Sequence, residues 1–311
     1  DSEAFGHQLP NPSEASPHTS LFTFQNAGPQ PAAYFHDKAK KTASSFTATN
    51  ATAALFAEHH LNDHLLSYEH RLTSRIRKLS PGAVTYSSNN ITDSTGASHP
   101  WGGTGMTVNR TLISQKTSHS QDPAQLSRWT SARFRGKQGH TLSLFSACRP
   151  CHSPTRLGSV WSQHCRYFAS LSAPNSETLD PREQFDNDFI QAIDAALALG
   201  DAIIVGIDHN SDVRNSRLAQ KLTQRGLLNP ILTTHGTRNS PATHNQNGTR
   251  TPIDAPWVTH GVLVNRCGHC AFDNPKAAPS DHRLLWIEVD TTSILGKSLP
   301  PPGRSQQTAL T

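Results

Sequence analysis

The sequence predicts an α/β chain of the α+β kind, a four-layer sandwich of two mixed β-sheets packed face to face and flanked by helices. Two observations carry this. Short apolar strands end repeatedly in polar motifs, and amphipathic helices separate them. The clearest unit is residues 180–207. Asp180 stands as N-cap, Pro181 takes the first helical position, and Glu183 completes a capping-box pattern. Phe185, Phe189, Ile193 and Leu197 form one apolar stripe that Gly200 closes. Ala202 to Ile207 is then apolar on both alternating faces, as a strand buried on both sides would be, and it delivers Asp208-His209-Asn210 at its end.

The other elements follow in order. Residues 1–20 are rich in Pro, Ser and His and are expected as a disordered lead-in. Leu21 to Asn26 reads as a strand stopped by Ala27-Gly28-Pro29. Ala53 to Ala57 is a short apolar run reaching Glu58, and Leu65, Leu72, Ile76 and Leu79 then recur at helical spacing before Gly82. Residues 50–79 equally fit one long helix, with Glu58 as a solvated helix acid. Residues 87–104 are polar and turn-rich, and Gly102-Gly103-Thr104-Gly105 leads into a strand at Met106-Thr107-Val108. Leu142 to Ala147 is a strand ending at Cys148-Arg149-Pro150, and residues 158–171 fit an amphipathic helix. A helix from about Ser216 to Arg225 is stopped by Gly226. Ser280-Asp281-His282 runs straight into an apolar strand. One domain therefore covers 21–292, and 293–311, with Pro300-Pro301-Pro302-Gly303, is expected as a disordered tail.

With 311 residues, 34% hydrophobic and 16% charged, the chain can bury a sizeable core. A net charge of +5 and an isoelectric point near 9.1 are compatible with a polyanionic partner without forming a basic arm. No apolar run approaches the ~20 residues of a membrane span. A start at Asp1, with Met106 the only methionine, is expected of a processed or truncated product. The Asn-x-Thr sequons at Asn50, Asn90, Asn109 and Asn247 decide nothing about compartment. Nothing in the sequence sets an oligomeric state.

The chemistry is expected at the strand ends. Asp208 and Asn210 are two apart and, in extended geometry, point to one side. A carboxylate and an amide facing one spot suit activation of a water beside a phosphorus. Asp254, in Thr251-Pro252-Ile253-Asp254, is placed to orient a histidine. Glu58 and Asn26 add oxygen donors of the kind that hold Mg²⁺ against a phosphate. Asp281 and His282 offer an acid for a ligand or metal and a phosphate donor or proton carrier.

Asn26, Glu58, Asp208-x-Asn210, Ile253-Asp254 and Ser280-Asp281-His282 stand in the order of the endonuclease/exonuclease/phosphatase superfamily, which the chain resembles over residues 21–290. Gly102 to Gly105 and Ser146 to Pro150 fall where that family has a Gly-rich strand start and a Tyr-x-Pro-like turn. The Arg-Pro turn and the late Ser-Asp-His-Arg look most like endonuclease domains of retrotransposon-like elements. The resemblance implies a Mg²⁺-dependent phosphodiester hydrolase, Mn²⁺ being the substitute ion, and a DNA endonuclease before an RNA one. It implies Glu58 as principal metal ligand, with Asn26 and Asp281 supporting. It implies Asp208 as the group that positions or deprotonates water, with Asn210 beside it, and His282 on the scissile phosphate, oriented by Asp254. Cys148 and Arg149 would lie on the substrate side. An intracellular, nuclear location goes with a DNA substrate. Two departures stand out: Cys148 replaces a phosphate-contacting Tyr, and His209 sits where a small or apolar residue is usual, which is compatible with a weakened or decayed enzyme.

Two rival readings remain. One is a phosphatase of small phosphoesters or lipids. The other is a zinc-stapled nucleic-acid-binding module built on Cys148-x-x-Cys151 and Cys267-x-x-Cys270, with His269 joining the second pair. Those pairs lie over a hundred residues apart, whereas compact zinc ribbons keep theirs within ~20. Five cysteines also leave one over from any complete disulfide framework.

Overall fold

The computed structural model describes residues 4–11, 13, 16, 18–28, 35–60, 67–88, 102–155, 159–171, 179–238, 240–245 and 251–297. Along the chain run β1 (Phe5–Gly6), β2 (Thr19–Asn26), α1 (Phe35–Thr49), β3 (Ala53–Ala57), α2 (Leu72–Leu79), β4 (Val84–Ser88), β5 (Thr104–Val108) and α3 (Arg110–Ile113). Then come β6 (Lys116–Gln121), β7 (Trp129–Arg135), β8 (Thr141–Cys148), α4 (Val160–Leu171), α5 (Pro181–Ala198), β9 (Ala202–Asp208) and α6 (Arg217–Gln224). The chain continues through β10 (Leu227–Leu228), α7 (Pro230–His235), β11 (Asp254–Thr259), β12 (Val264–His269), β13 (Leu285–Asp290) and α8 (Thr291–Leu295).

The strands form a seven-stranded sheet, ordered β1-β12-β13-β2-β3-β5-β4, and a six-stranded sheet, ordered β10-β11-β9-β8-β7-β6. Each is mixed: β2–β3 and β8–β9 are parallel and the other pairs antiparallel. Strand alternation sorts the side chains into layers. Phe22 and Phe24 of β2, Leu55 of β3, Leu142 and Leu144 of β8, and Ile204 of β9 meet in the core between the sheets. The opposite face of the six-stranded sheet, with Ile203, Val205 and Trp257, packs on Phe185, Phe189, Leu218 and Leu222 of α5 and α6. The outer face of the seven-stranded sheet gives Phe56 to a third cluster with Phe46, Leu72 and Ile76 of α1 and α2. This is the expected four-layer sandwich.

Gly206 lets the sheets close. A Cβ there would stand 2.6 Å from Phe24 Cδ2, so the Phe24 ring fills the space of a missing side chain. Asp180 caps α5 as the sequence implies, accepting from the Arg182 and Glu183 amides at 2.7 and 2.9 Å. Glu183 reaches sideways to Arg217 instead of back along its helix.

Several expectations are corrected. The lead-in is not disordered throughout: Phe5 and Gly6 pair with His269 and Gly268 of β12, and β2 begins at Thr19. The tail starts later than 293, because α8 runs to Leu295 and buries Ile294 and Leu295. The remainder from 298 lies outside the described residues. Residues 50–79 are not one helix. Ala53–Ala57 is a strand parallel to β2, and the helix following it is only Leu72–Leu79, with 61–66 outside the described residues. Strands β6, β7 and β12 had no counterpart in the sequence reading. Every residue of β6 is exposed, and its sequence, KTSHSQ, carries no apolar alternation to mark a strand.

Buried histidines give the domain an acid sensitivity. His164 of α4 is 1% exposed, and burial, with the Arg128 charge nearby, lowers its pKa to about 3. The unfolded chain takes up that proton near pH 6.5, the folded chain only near 3, so the stability His164 contributes is whole above 6.5 and is lost as pH falls towards 3. Replacing it with Leu is expected to flatten the pH dependence of urea unfolding between pH 6 and pH 4 by about 1.4 kcal/mol per pH unit. An unchanged slope would contradict this.

Candidate active site

One edge of the sandwich collects the polar strand ends. Side-chain alternation aims most of them inward. Asn26 continues the inward series of Phe22 and Phe24, and Asp208 that of Ile204 and Gly206. Asp254 shares its face with Val258. The ladders bring these positions level: Cys148 is paired with Asp208 across β8 and β9, and Asp208 with Asp254 across β9 and β11. All three are buried. The Asn26 amide crosses between the sheets, donating to Asp208 Oδ2 at 2.7 Å and to Glu58 Oε2 at 3.3 Å.

Glu58 breaks the alternation. Following Phe56, it would point to the outer face. Its backbone instead turns left-handed, at φ +49°, and His60 does the same at +50°. The partner segment makes this turn possible. His59 and His60 donate their amides to the Gly103 and Gly102 carbonyls, and the Gly102 amide donates to His60 Nδ1. Gly103 must lack a side chain, since a Cβ would lie 2.6–2.9 Å from the His59 ring.

Asn210 is also left-handed, at φ +48°, so the extended i, i+2 geometry expected from the sequence does not hold there. The two side chains still meet. The Asn210 amide N–H donates to Asp208 Oδ1 at 2.7 Å, and its Nδ2 donates to Asp208 Oδ2 at 3.2 Å and to the Arg149 carbonyl at 2.7 Å. His209 between them turns the other way, where its Nε2 accepts the Trp257 indole N–H at 2.9 Å. Burial and the nearby Arg149 and Arg182 charges hold it neutral, with a pKa of about 3. A histidine in the middle of this motif is therefore a partner for Trp257 in the outer core.

His282 is fixed from several sides. Gln25 Nε2 donates to the His282 carbonyl at 3.0 Å and to that of Ala278 at 2.8 Å. Ser280 Oγ donates to the Asn26 carbonyl and accepts the His282 amide N–H at 3.0 Å. The His282 ring places Nδ1 2.8 Å from Asp254 Oδ2. The backbone of Asp254 is held in turn by Thr243, whose Oγ1 accepts its amide N–H at 3.0 Å. Burial works against a charged His282, but the Asp254 charge and hydrogen bond outweigh it and keep the pKa well above the ordinary imidazole value. Asp208 moves upward as well. Burial is the largest cause and the Asp254 charge the next.

His244 is a site residue that the sequence reading missed. It bridges to His282, stacks its ring 4.5 Å from that of His282 at a tilt, and sits 3.3 Å from Asp281 Oδ2. No spacing in the sequence announces it. Asp281 is expected beside Glu58 and Asn26; its carboxylate faces His244 and fills the space a side chain would take at Gly28, two residues after Asn26. Burial would raise the Asp281 pKa, but the His244 hydrogen bond and the two histidine charges hold it below the ordinary value.

Two expected substrate contacts are corrected. The Arg149 guanidinium is not offered to a substrate, because it lies buried and bidentate on Asp186 of α5, at 2.6 and 2.9 Å. Cys148 is buried, and its sulfur lies 3.9 Å from Glu58 Oε1. Burial, and after it the Glu58, Asp208 and Asp254 charges, push its thiol well above the ordinary range, so it is a protonated, weak donor. The shared four-cysteine zinc site also fails: among the described residues, no group of side chains able to hold a metal contains two cysteines. Cys267 lies in the core between the sheets and Cys270 in a small cluster with Leu284 and Trp286.

What the site offers is oxygen donors. One ligand atom each from Asp208, Asp254 and His282 lies within 4.8 Å of the others, and buried Asp254 Oδ1 has no hydrogen-bond partner. Two buried carboxylates this close repel each other, and a divalent cation would relieve that repulsion. The Glu58 carboxylate, joined to Asp208 through the Asn26 amide, adds the oxygens that fit a hard, oxygen-seeking ion, whereas a protonated His282 is no ligand for one.

No protein-family model and no curated protein matches the sequence. Solved structures do match the fold. An endonuclease/exonuclease/phosphatase family protein from Leptotrichia buccalis aligns at TM-score 0.57 and 13% identity, over 87% of this chain and 99% of that one. A 3′ phosphatase, NExo, from Neisseria, bound to a product DNA hairpin, aligns at 0.59 and 11%, over 87% and 99%. The human Nocturnin catalytic domain with a bound sulfate anion aligns at 0.58 and 13%, over 87% and 93%.

Proposed function

We propose, from a chain that carries the endonuclease/exonuclease/phosphatase fold, that this protein is a Mg²⁺-dependent phosphodiesterase cleaving DNA. The convergence of Asn26, Glu58, Asp208, Asp254 and His282 on one cleft between the sheets carries the reading. Glu58 and Asn26, with Asp281 near Gly28, would hold the ion, which supplies charge neutralisation at the phosphate. Asp208, its pKa raised to about 8 by burial and the Asp254 charge, takes the proton of the attacking water in its ionised form, and Asn210 fixes the orientation of that carboxylate. His282 stays protonated through Asp254 and presents its second ring N–H to a phosphate oxygen. The net charge of +5 favours nucleic acid, since phosphate contacts dominate such binding. The closer likeness to retrotransposon-like endonucleases, and with it an intracellular, nuclear setting, rests on the Arg-Pro turn and the Ser-Asp-His-Arg segment alone.

Supercoiled plasmid and a soluble phosphoester, each incubated with Mg²⁺, separate the substrates. Nicking of the plasmid is the expected result. Turnover of the soluble ester without nicking would assign a phosphatase. Glu58→Gln is expected to shift the Mg²⁺ titration of activity to higher concentration, because a neutral amide is a weaker ligand than a carboxylate. An unshifted curve would remove Glu58 from the metal site.

A further inference from the structure

Cys267 drew attention in the sequence for its spacing to Cys270, but the fold gives it other neighbours. We propose that His7, His235 and Cys267 bind one zinc ion, which fastens the N-terminal segment to the edge of the seven-stranded sheet. The three residues come from β12, the last residue of α7, and the segment just after β1. One ligand atom of each lies within 4.8 Å of the other two. Cys267 Sγ and His235 Nε2 are 3.7 Å apart. Two ligands of a tetrahedral zinc, at its usual Zn–S and Zn–N lengths, stand about 3.5 Å apart, so this pair already has the separation of two zinc ligands, and binding would exchange the 3.0 Å contact of His235 Nε2 with the Cys267 carbonyl for the ion. His7 Nδ1 accepts the Cys267 amide N–H at 3.1 Å, which docks the ring beside this residue, and the ring stands edge-on to that of His235, with centroids 4.7 Å apart. Two imidazoles and a thiol are the donor set of a borderline-soft ion, unlike the oxygen-rich cleft.

The surroundings fit this role. Gly6, at φ +87°, lets the strand approach, since a Cβ there would stand 2.8 Å from His235 Nε2 and 2.9 Å from the Cys267 carbonyl. The ladder holding β1 is two residues long, too short to be stable alone. An ion shared by His7, His235 and Cys267 adds a cross-link where the ladder is weakest. The Cys267 thiol gives its proton to solvent as the Zn–S bond forms, and a water completes the four-coordinate shell.

Co²⁺ added to chelator-treated, full-length protein tests this. One equivalent is expected to give a thiolate-to-cobalt charge-transfer band with tetrahedral d–d bands, and one equivalent of Zn²⁺ to bleach both. Cys267→Ser is expected to abolish the charge-transfer band, His7→Ala to weaken cobalt affinity at least tenfold, and Cys148→Ser to leave both unchanged. Limited proteolysis is expected to cut the N-terminal segment faster after chelation. Cobalt binding without a thiolate band, or a band lost in Cys148→Ser and kept in Cys267→Ser, would overturn the assignment. If Cys267→Ser does not fold, His7→Ala decides alone: weakened affinity supports the site, and unchanged affinity overturns it.

Discussion

His282→Ala is expected to lower the rate of DNA cleavage by about 10²–10⁴-fold while the domain stays folded. The ring is buried with Nδ1 on Asp254 at 2.8 Å, and its charged form is favoured by that carboxylate. Removing it takes away a cationic donor from the phosphate and leaves Asp254 buried with neither oxygen bonded, since Oδ1 already has no partner. Asp254→Ala is expected to cost less, because it loosens the orientation of His282 and leaves the imidazole in place. Single-turnover cleavage of a labelled duplex, with unfolding curves for each variant, measures both. A His282→Ala enzyme that is folded and within threefold of wild type would end the phosphate-binding role.

Asp186→Ala is expected to destabilise the domain by about 3–5 kcal/mol, the usual cost of leaving one partner of a buried ion pair unmatched. Asp186 is 1% exposed, and both its oxygens accept from Arg149. The effect should reach the cleft, because the Arg149 carbonyl receives the Asn210 side chain, and Asn210 in turn holds Asp208. Urea unfolding reads the stability loss, and residual cleavage at low denaturant reads the displacement of Asn210. A loss below 1 kcal/mol would mean that the Arg149 guanidinium finds water when Asp186 is gone.

Strand alternation made part of the site legible in the sequence. Asn26 follows Phe22 and Phe24 at even spacing, and Asp208 follows an all-apolar strand, so both could be placed before any coordinates. Glu58 could not be placed that way. Its position depends on a left-handed turn braced by Gly102 and Gly103, far along the chain, and Ala53 to Ala57 reads equally as strand or helix. Arg149 looked available because its carboxylate partner sits on another element, in the second turn of α5. His244 joins His282 through a single bridge between irregular segments, which no periodicity encodes. The same long-range dependence hid β1, whose order comes from β12 near the opposite end of the chain. The two Cys-x-x-Cys pairs, already too far apart in sequence for one compact ribbon, do not form a local knuckle at the second pair either: β12 ends at His269, and Cys267 and Cys270 enter different cores.

Asp208→Asn tests the central claim most directly. The substitution keeps the shape of the side chain and one of its two acceptor oxygens, enough for the bond from Asn26 or from the Asn210 amide but not both, and it removes the group that accepts a proton from water. Supercoiled plasmid, Mg²⁺ and equal amounts of wild type and variant are compared by the rate of nicking. Nicking by wild type, with the variant slower by about 10²–10⁴-fold while still unfolding cooperatively in urea, is the predicted result. Equal nicking by both proteins would contradict the assignment of Asp208 and of the cleft built around it.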